Sequence, residues 1–388
     1  MDEYLTNTIT KWNTKDHNNV TIVIGNESCD LDSSVSAISY ATFLHWQYAQ
    51  IQCKVCTKAH RSETTHKDDI FVPVLNVNKE DFALKTEVAF CLREYGVNME
   101  HLVFRDHPNL SNLPPATNIV LVDHHVLSKR DQGFAPHVTE ILDHRPQDKT
   151  AWPYKEDTRC FIEMVGSCAT IVAQRIKDLA NLIRKDVDFF NAYPVCAKLL
   201  HATIILDTVN FSKEVNKGTP HDEEIILFLE SLIKPQEYRM ERQTILDGLV
   251  AARSDVSGLS AGQLLRKDVK IVGDVLVPSF PILVKEFFNK PGAQQAVSEA
   301  LSTNNCSTAL LLGMDLTGEL RRDTAVLSPT HPDRSEQLSQ CLKDWKSPVL
   351  QLTSEILSTS ECIYYKQLNL GASRKQYMPA VAQFLQNK

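Results

Sequence analysis

The sequence predicts an α/β protein with an N-terminal, mostly parallel sheet flanked by helices and a smaller, mixed α/β domain after it. In the first half, short β-branched runs alternate with amphipathic stretches, which is the pattern of βαβ units. Beyond a polar segment that contains Gly218 and Pro220, the pattern changes to mixed strands and helices. At 388 residues the chain is long enough for two domains. We therefore expect a first domain over residues 1–211, a linker over 212–221 and a second domain over 222–388.

The elements of both domains are predicted in order along the chain. The run VTIVIG (20–25) predicts a buried strand, and residues 33–47 have apolar side chains at helical spacing behind a serine cap. Further strands are predicted in IQCKVC, DDIFVPVL, LVFRDH (102–107), NIVLVDHH (118–125) and TEILDHRP (139–146). Further helices are predicted over 81–97, 166–185 and 197–211. In the second domain we expect strands in VKIVGDVLVPSFPILV and TALLLGMDL, a helix near HPDRSEQLSQCLKDW, and a strand, loop and helix around Arg374.

The composition excludes several classes of protein. A net charge of −7 argues against binding DNA through its phosphates, although local cations can still attract a small anion. The N-terminus has early acidic residues and no apolar signal segment, and no apolar run reaches the roughly 18 residues of a membrane span. The ten cysteines lack disulfide spacing, and Cys53 and Cys56 have no second pair that would complete a zinc site. We expect a cytoplasmic protein with reduced thiols.

Acidic and imidazole side chains follow several of the predicted strands. They are Asp30, Asp32, Asp106, Asp123, His124, His125, Asp143 and His144. An acid after one strand predicts only a helix cap. Because ligands bind beyond the carboxyl ends of the strands in an open parallel sheet, the repetition predicts one shared site.

Two of these strand ends carry residues suited to metal chemistry. Asp30 and Asp32 are two positions apart in a turn, so their carboxylates can reach two cations, and the helix that follows can help to hold phosphate oxygens. Alone, this pair is more often a solvated cap. Directly after a buried strand, His124 and His125 point in different directions, so one can ligate a metal while the other donates to substrate. Asp123 can then orient one of the rings.

The ordered motifs GNESCDLDS, FRD, LVDHH and ILDTVNF resemble the four motifs of the DHH phosphoesterase superfamily. This superfamily includes the manganese-dependent inorganic pyrophosphatases and the cytosolic exopolyphosphatases. The resemblance is closer to its prune branch, because LDHRP and GSCAT match as well. In the second domain the matching segments are LLRKDVK (264–270) and GASRKQ (371–376). The resemblance thus extends from about residue 20 to the C-terminus.

The resemblance implies a set of site residues. It places Asp30 on one metal and Asp32 on the other, with Asp106 bridging the two ions and with His124 and Asp207 as the remaining ligands of the second metal. It assigns catalytic roles to Asp106, Asp123 and His125, with His125 facing the substrate phosphate. It also implies that Lys270, Arg374 and Lys375 bind phosphate. Asp207 lies among apolar residues, where an acid without a partner or a metal would be costly, and this favours the ligand role.

Two residues depart from the pyrophosphatase pattern. Asn26 stands where those enzymes have a histidine ligand, so either the first metal is held more weakly or the Asn26 amide contacts phosphate. The exopolyphosphatase and prune branches look the same here, which moves the expected substrate towards longer phosphate chains. Arg145 stands in a strand end where a second double histidine would otherwise be found. It can face a phosphate or pair with Asp143, and the sequence does not distinguish these alternatives.

The function implied by the resemblance is hydrolysis of an anionic phosphate substrate. Two divalent ions, Mg²⁺ or Mn²⁺, would activate a water that removes terminal phosphates from short-chain inorganic polyphosphate. The alternatives are a cyclic-nucleotide phosphodiesterase, or a scaffold of the same fold that mainly binds partner proteins such as nucleoside diphosphate kinase. Because the implied acidic and histidine ligands are all present, the sequence favours the enzyme.

Overall fold

The chain folds into two units, Met1–Arg253 and Ser254–Lys388, each built around a six-stranded sheet. The computed structural model describes residues 1–51, 67–148, 152–185, 187–233, 241–315, 319–357 and 362–386. The strand predicted around Cys53 and Cys56 lies outside the described residues. One sheet is parallel and the other is mixed, which confirms the predicted α/β fold class.

The first sheet contains six strands whose neighbouring pairs are all parallel. They are β1 (Val20–Ile24), β2 (Ile70–Leu75), β3 (Val103–Phe104), β4 (Thr117–Val122), β5 (Val138–Asp143) and β6 (Arg159–Ile162). Their order across the sheet is β3-β2-β1-β4-β5-β6. The chain moves outwards from β1 to β3 and then returns to the other side of β1 with β4. Because the connections diverge there, a crevice is expected beyond the carboxyl ends of β1 and β4.

The central strands are apolar because both faces of the sheet are covered. Ile22 and Ile24 of β1 pack into the hydrophobic core on one face, and Val23 packs into the core on the other. Such two-sided burial requires the nearly continuous apolar run that predicted this strand. The rigid sheet therefore fixes the positions of the polar residues that follow each strand.

The helices of the first unit lie around this sheet. They are α1 (Asp2–Thr14), α2 (Leu31–Ile51), α3 (Thr86–Glu94), α4 (Cys168–Leu182), α5 (Asp188–Ala192), α6 (Pro194–Thr208), α7 (Pro220–Leu232) and α8 (Arg242–Ser254). The helix predicted over 81–97 is divided into a 3₁₀ segment, Lys79–Leu84, and α3, because Lys85 between them has a non-helical backbone (φ −92°, ψ 63°). Among the described helices, we find no candidate for a membrane span.

The first unit continues past the predicted linker, 212–221. Helix α7 begins at Pro220, and the buried carboxylate of Asp222 accepts hydrogen bonds from the Gly166 backbone N–H (2.7 Å) and the Thr170 hydroxyl (2.6 Å). These bonds attach the start of α7 to the start of α4. The polar segment is therefore a connection within the first unit, and the boundary between the two units follows Arg253.

The second unit has a mixed sheet with the order β11-β12-β10-β9-β8-β7. Its strands are β7 (Val269–Val272), β8 (Val275–Phe280), β9 (Thr308–Asp315), β10 (Arg321–Leu327), β11 (Leu352–Glu355) and β12 (Ile363–Gln367). Its helices are α9 (Ala261–Lys267), α10 (Val284–Phe288), α11 (Ala293–Thr303), α12 (Pro332–Asp344) and α13 (Arg374–Gln386). Strands β8 and β9 are parallel, and the other neighbouring pairs are antiparallel. The helix α12 and the final strand, loop and helix agree with the pattern predicted from the sequence.

Candidate metal centre

Three potential ligands meet beyond the carboxyl ends of adjacent strands in the first unit. Asp32 follows β1, Asp123 follows β4 and His144 follows β5. One ligand atom from each lies within 4.8 Å of the other two, and the two carboxylates are buried. Carboxylate oxygen and imidazole nitrogen are suitable donors for a divalent cation. The convergence therefore marks a candidate metal centre at the point where the strand order reverses.

Asp32 is held by the start of a different helix. It lies in the first turn of α2, and its two oxygens accept hydrogen bonds from the backbone N–H groups of Cys168 (2.6 Å) and Ala169 (2.8 Å) at the start of α4. Burial and the nearby acids Asp207, Asp123 and Asp30 hold the pKa of Asp32 well above its usual range. A cation at this position would relieve that repulsion.

The two carboxylate oxygens of Asp123 have different surroundings. Its Oδ2 accepts hydrogen bonds from the Ser33 hydroxyl (2.7 Å) and the Asn26 amide (2.8 Å). Its Oδ1 is buried, has no partner of good hydrogen-bond geometry among the described atoms, and lies 3.2 Å from His144 Nε2 and 3.0 Å from the Arg145 guanidinium. A buried carboxylate oxygen needs positive charge beside it, which Arg145 supplies in part and a bound cation would supply more fully. Asp123 Oδ1 is thus positioned as a metal ligand.

The imidazole of His144 has the orientation that a metal ligand requires. Its Nδ1 lies 3.0 Å from the Val165 carbonyl oxygen, which is an acceptor, so Nδ1 carries a proton and Nε2 faces the carboxylates. Burial lowers the pKa of His144, but the close contact with the negatively charged Asp123 carboxylate raises it above its ordinary value. The backbone contact at Nδ1 is the outer bond that commonly fixes the tautomer of a ligating histidine.

Asp30 and Asp207 flank this group. The Ser28 hydroxyl donates to Asp30 (2.8 Å), and the Ser167 hydroxyl donates to Asp207 (2.7 Å). Burial raises the pKa of Asp207 to about 6, with further contributions from Asp30 and Asp123, although the bond from Ser167 opposes the shift. Four carboxylates therefore share one small region, and their mutual repulsion fits a site for more than one positive charge.

Arg145 contacts the same acids. Its guanidinium touches the Asp123 carbonyl and lies 3.0 Å from Asp123 Oδ1 and 3.4 Å from Asp143 Oδ1. The side chain is 46% exposed, so it borders both the acidic group and solvent. Asn26 faces inwards, because its amide donates to the carboxylate and the carbonyl of Asp123.

The other three residues expected at the centre of the site make contacts outside the converging group. His125 Nδ1 is 2.5 Å from Asp143 Oδ2, and its Nε2 accepts a hydrogen bond from the Asp148 N–H (2.9 Å). The buried His124 ring contacts the Val122 carbonyl oxygen. Asp106 is exposed and accepts a hydrogen bond from the Lys79 N–H (3.0 Å). Within the described residues, none of the three belongs to the converging group.

The basic residues expected to bind phosphate lie in the second unit. Lys270 is an exposed residue of β7, and Lys375 is exposed in the first turn of α13. Arg374 binds the Asp268 carboxylate (2.6 Å) and carbonyl (2.9 Å), so its guanidinium is held beside β7. The unit thus brings Arg374 to the strand that carries Lys270.

Two features of the centre went unrecognised in the sequence. The sequence places Asp143 and His144 at a strand end but does not single out His144 as a candidate ligand. The motif GSCAT matched the prune branch without receiving a role, whereas its backbone and Ser167 hydroxyl hold Asp32 and Asp207. In the sequence, this role is indicated by the position of the motif directly before an amphipathic stretch.

Comparisons with known proteins agree with the motifs. Residues 20–204 match the profile of the DHH family, N-terminal domain, and residues 247–384 match the DHHA2 domain. The chain is 33% identical to exopolyphosphatase PRUNE1 of Rattus norvegicus over 374 residues, covering 94% of this chain and 75% of that protein. It is 32% identical to exopolyphosphatase PRUNE1 of Homo sapiens over 372 residues, with the same coverage.

A solved structure from Methanococcus jannaschii, provisionally described as a family II inorganic pyrophosphatase, aligns with 94% of this chain and 99% of its own. Its identity is 19% and its TM-score is 0.45, too low to support a conclusion about this protein. The DHH profile, in contrast, lies within the first unit, the DHHA2 profile covers most of the second, and the PRUNE1 proteins match 94% of the chain. The chain therefore belongs to the DHH family, with a DHHA2 domain, as a relative of the PRUNE1 proteins.

Proposed function

We propose that this protein is a metal-dependent phosphohydrolase that removes terminal phosphates from short-chain inorganic polyphosphate. The observation that carries the proposal is the convergence of Asp32, Asp123 and His144. Its PRUNE1 relatives are named exopolyphosphatases, which supports the choice of substrate. A buried acidic centre that can be filled by cations suits an anionic substrate, because the bound charge reverses the local field.

We assign the cations to a ligand set centred on Asp123 and His144. Asp32 completes the converging group, and Asp30 and Asp207 flank it. The nearby thiol of Cys168 donates to the Leu142 carbonyl (3.4 Å), and burial raises its pKa. Oxygen and imidazole donors without a thiolate favour two Mg²⁺ or Mn²⁺ ions over zinc. This set gives Asp123 and His144 the ligand roles that the motif resemblance implied for Asp106 and His124.

The residues of the chain hold and neutralise the reactants around these ions. Divalent ions supply Lewis acidity to a phosphoryl group and generate a nucleophilic water near neutral pH. Arg145, at the exposed edge of the acidic group, is positioned to neutralise developing charge on phosphate oxygens. Asn26 keeps Asp123 in place. We retain Lys270, Arg374 and Lys375 as proposed phosphate-binding residues, and His125 as a support for Asp143.

A phosphate-release assay with matched alanine variants tests the proposal. Wild-type protein with Mg²⁺ or Mn²⁺ should release phosphate from tripolyphosphate, and Asp123→Ala should reduce kcat by at least about 100-fold because it removes a ligand. The kcat of Asp106→Ala should stay within about threefold of the wild-type kcat, because Asp106 is an exposed acid outside the converging group. If Asp106→Ala abolished release while Asp123→Ala did not, the ligand assignment would be wrong.

The same panel separates the alternative functions. Pyrophosphate, long polyphosphate and cyclic AMP are assayed beside tripolyphosphate, with AMP measured for the last. AMP formation alone would replace the proposal with a cyclic-nucleotide phosphodiesterase. Negligible release by wild type and Asp123→Ala from every substrate would favour a scaffold that binds proteins such as nucleoside diphosphate kinase. A cytoplasmic location and the absence of DNA binding stay predictions of the sequence.

A further inference from the structure

Two cations lie next to the loop that carries Asn26 and Asp30, on the side of β1 that faces β2. They are Lys85, which precedes α3, and Arg130, in the 3₁₀ segment Lys129–His137 after β4. We propose that Lys85 and Arg130 form a second phosphate subsite, which binds the part of a linear polyphosphate that extends beyond the group being cleaved. This inference rests on the proposed function and deepens it.

Lys85 is attached to the loop by a neutral group. Its ammonium donates a hydrogen bond to the Ser28 carbonyl oxygen, and the Ser28 hydroxyl donates to Asp30 (2.8 Å). The residue that Lys85 contacts, Ser28, is therefore two positions from Asp30, a proposed metal ligand. A carbonyl positions an ammonium without cancelling its charge, so Lys85 keeps its attraction for an anion.

Arg130 is held on the same loop through Asn76. The Arg130 guanidinium donates to the carbonyl (2.9 Å) and the side-chain oxygen (2.7 Å) of Asn76. The buried Asn76 amide in turn donates to the Gly25 carbonyl (3.0 Å), next to Asn26. Arg130 is thus fixed relative to the metal centre, yet its side chain is 42% exposed.

The charges around Arg130 leave an excess of positive charge. The buried Asp131 is already paired with Arg105, at 2.7 Å, and its other oxygen is 3.9 Å from Arg130 Nε. One carboxylate therefore faces two guanidinium groups. The loop carries two acids: Glu27 is exposed and can turn into solvent, and Asp30 accepts from the Ser28 hydroxyl and belongs to the proposed metal centre. Two positioned cations with partly exposed side chains match the repeated negative charge of a polyphosphate better than a single small anion.

Binding measured in EDTA tests the subsite without hydrolysis. Fluorescently labelled polyphosphate is titrated with the full-length protein and with Lys85→Met, Arg130→Met and the double variant. Each single variant should weaken binding about threefold to tenfold, and the double variant more, because each removes one charge-assisted contact. The control is Arg93→Met, which removes an exposed cation from the last turn of α3. Its affinity for polyphosphate should stay within about twofold of wild type. Equal losses in Lys85→Met and Arg93→Met would overturn the subsite, as would no saturable binding by wild type.

Kinetics with metal give the second arm of the test. The KM of Lys85→Met and Arg130→Met should rise more for long polyphosphate than for tripolyphosphate, and least for pyrophosphate, which is too short to extend into the subsite. A KM change that is the same for all three substrates would contradict the inference. If the wild type binds polyphosphate in EDTA but releases no phosphate with metal, the proposed function fails while the subsite stands. If the variants bind and hydrolyse like wild type, only the subsite fails.

Discussion

The backbone of Asp123 shows how a single residue determines the geometry of the centre. Its φ is 60°, in the left-handed region that residues other than glycine seldom adopt. The conformation turns the carboxylate towards Ser33 and Asn26, whose hydrogen bonds hold it there. Such backbone strain persists where the surroundings fix it, and it is concentrated at functional sites.

Asn26 provides a prediction about this support. Asn26→Ala removes the amide that orients Asp123, so we expect affinity for Mn²⁺ to fall by about 10–100-fold, as for other outer hydrogen bonds of metal ligands. The KM for tripolyphosphate at saturating metal should stay within twofold. Titration calorimetry and steady-state kinetics measure the two quantities. Asn109→Ala is the control, because that amide donates to the Trp12 carbonyl instead. A raised KM with unchanged metal affinity would restore the expected phosphate contact of Asn26.

The sequence indicates that the proposed ligands lie at strand ends, but it does not indicate which of several neighbouring residues is a ligand. It predicts Asp123, His124 and His125 at the end of β4, and Asp143 and His144 at the end of β5. The direction of each side chain depends on local backbone angles and on bonds such as those from the His144 and Arg145 N–H groups to Asp143. No periodicity in the sequence encodes those contacts, so the proposal of His144 in place of His124 rests on the fold.

At the scale of elements, the start of α4 connects the metal centre to α7. Gly166 lies so close to α7 that an added Cβ would be 2.9 Å from the Asp222 carboxylate. Asp222 accepts bonds from Gly166, Thr170 and Thr219, while the next residues of the turn bind Asp32 and Asp207. Asp222 therefore positions two proposed ligands without touching them.

Asp222→Asn tests this connection. The amide cannot accept all of these bonds, so we expect a loss of stability of about 2–3 kcal/mol and a roughly tenfold weaker affinity for Mn²⁺. Asp323→Asn is a matched control, because Asp323 is a buried aspartate that accepts bonds from Val284, Lys285 and Tyr364 in the second unit. Thermal unfolding and Mn²⁺ titration by electron paramagnetic resonance measure both effects. If Asp323→Asn weakened Mn²⁺ binding as much as Asp222→Asn, the effect would be general destabilisation.

The elements themselves were largely predictable where burial is two-sided. Strands β1, β4 and β5 begin within one residue of their predicted starts, and they end one, three and three residues before their predicted ends. Strand β3 is only Val103–Phe104, because the chain turns at once through a bond from the His107 N–H to the Phe104 carbonyl. The break at Lys85 also escaped prediction, since the surrounding residues keep helical spacing. Tertiary contacts decided both cases.

At the scale of the whole molecule, polar composition did not identify the boundary between units. The segment 212–221 contains glycine and proline, yet α7 and α8 belong to the first unit. Glu230 of α7 connects α7 and α8 to α6. Its carboxylate binds the guanidinium of Arg242 in α8 (2.7 and 2.9 Å) and Nε2 of His201 in α6 (3.0 Å). A polar composition indicates that a segment is exposed to solvent, whereas the boundary between two units depends on which hydrophobic core each helix packs against.

Glu230 also predicts how the stability of the first unit varies with pH. Mainly through its hydrogen bonds with Arg242, the pKa of Glu230 falls from 4.5 to about 2, although burial opposes the shift. Because this folded-state pKa is depressed, the stabilisation is fully present above about pH 4.5 and is lost as pH falls towards 2. Glu230 is 34% exposed, so after solvent screening we expect Glu230→Gln to cost about 1 kcal/mol at pH 7.

Urea unfolding of wild type and Glu230→Gln at pH 7 and pH 3.5 measures this difference. The gap between their unfolding free energies should narrow at pH 3.5, because the Glu230 carboxyl of the unfolded chain, with a pKa of 4.5, takes up a proton there while the folded carboxylate stays ionised. Glu224→Gln, on the same helix, removes an acid that is 66% exposed and 3.7 Å from Lys177, and it should change stability little at either pH. A gap that is equal at both pH values would mean that Glu230 acts through packing, and that its charge does not hold α8 to the first unit.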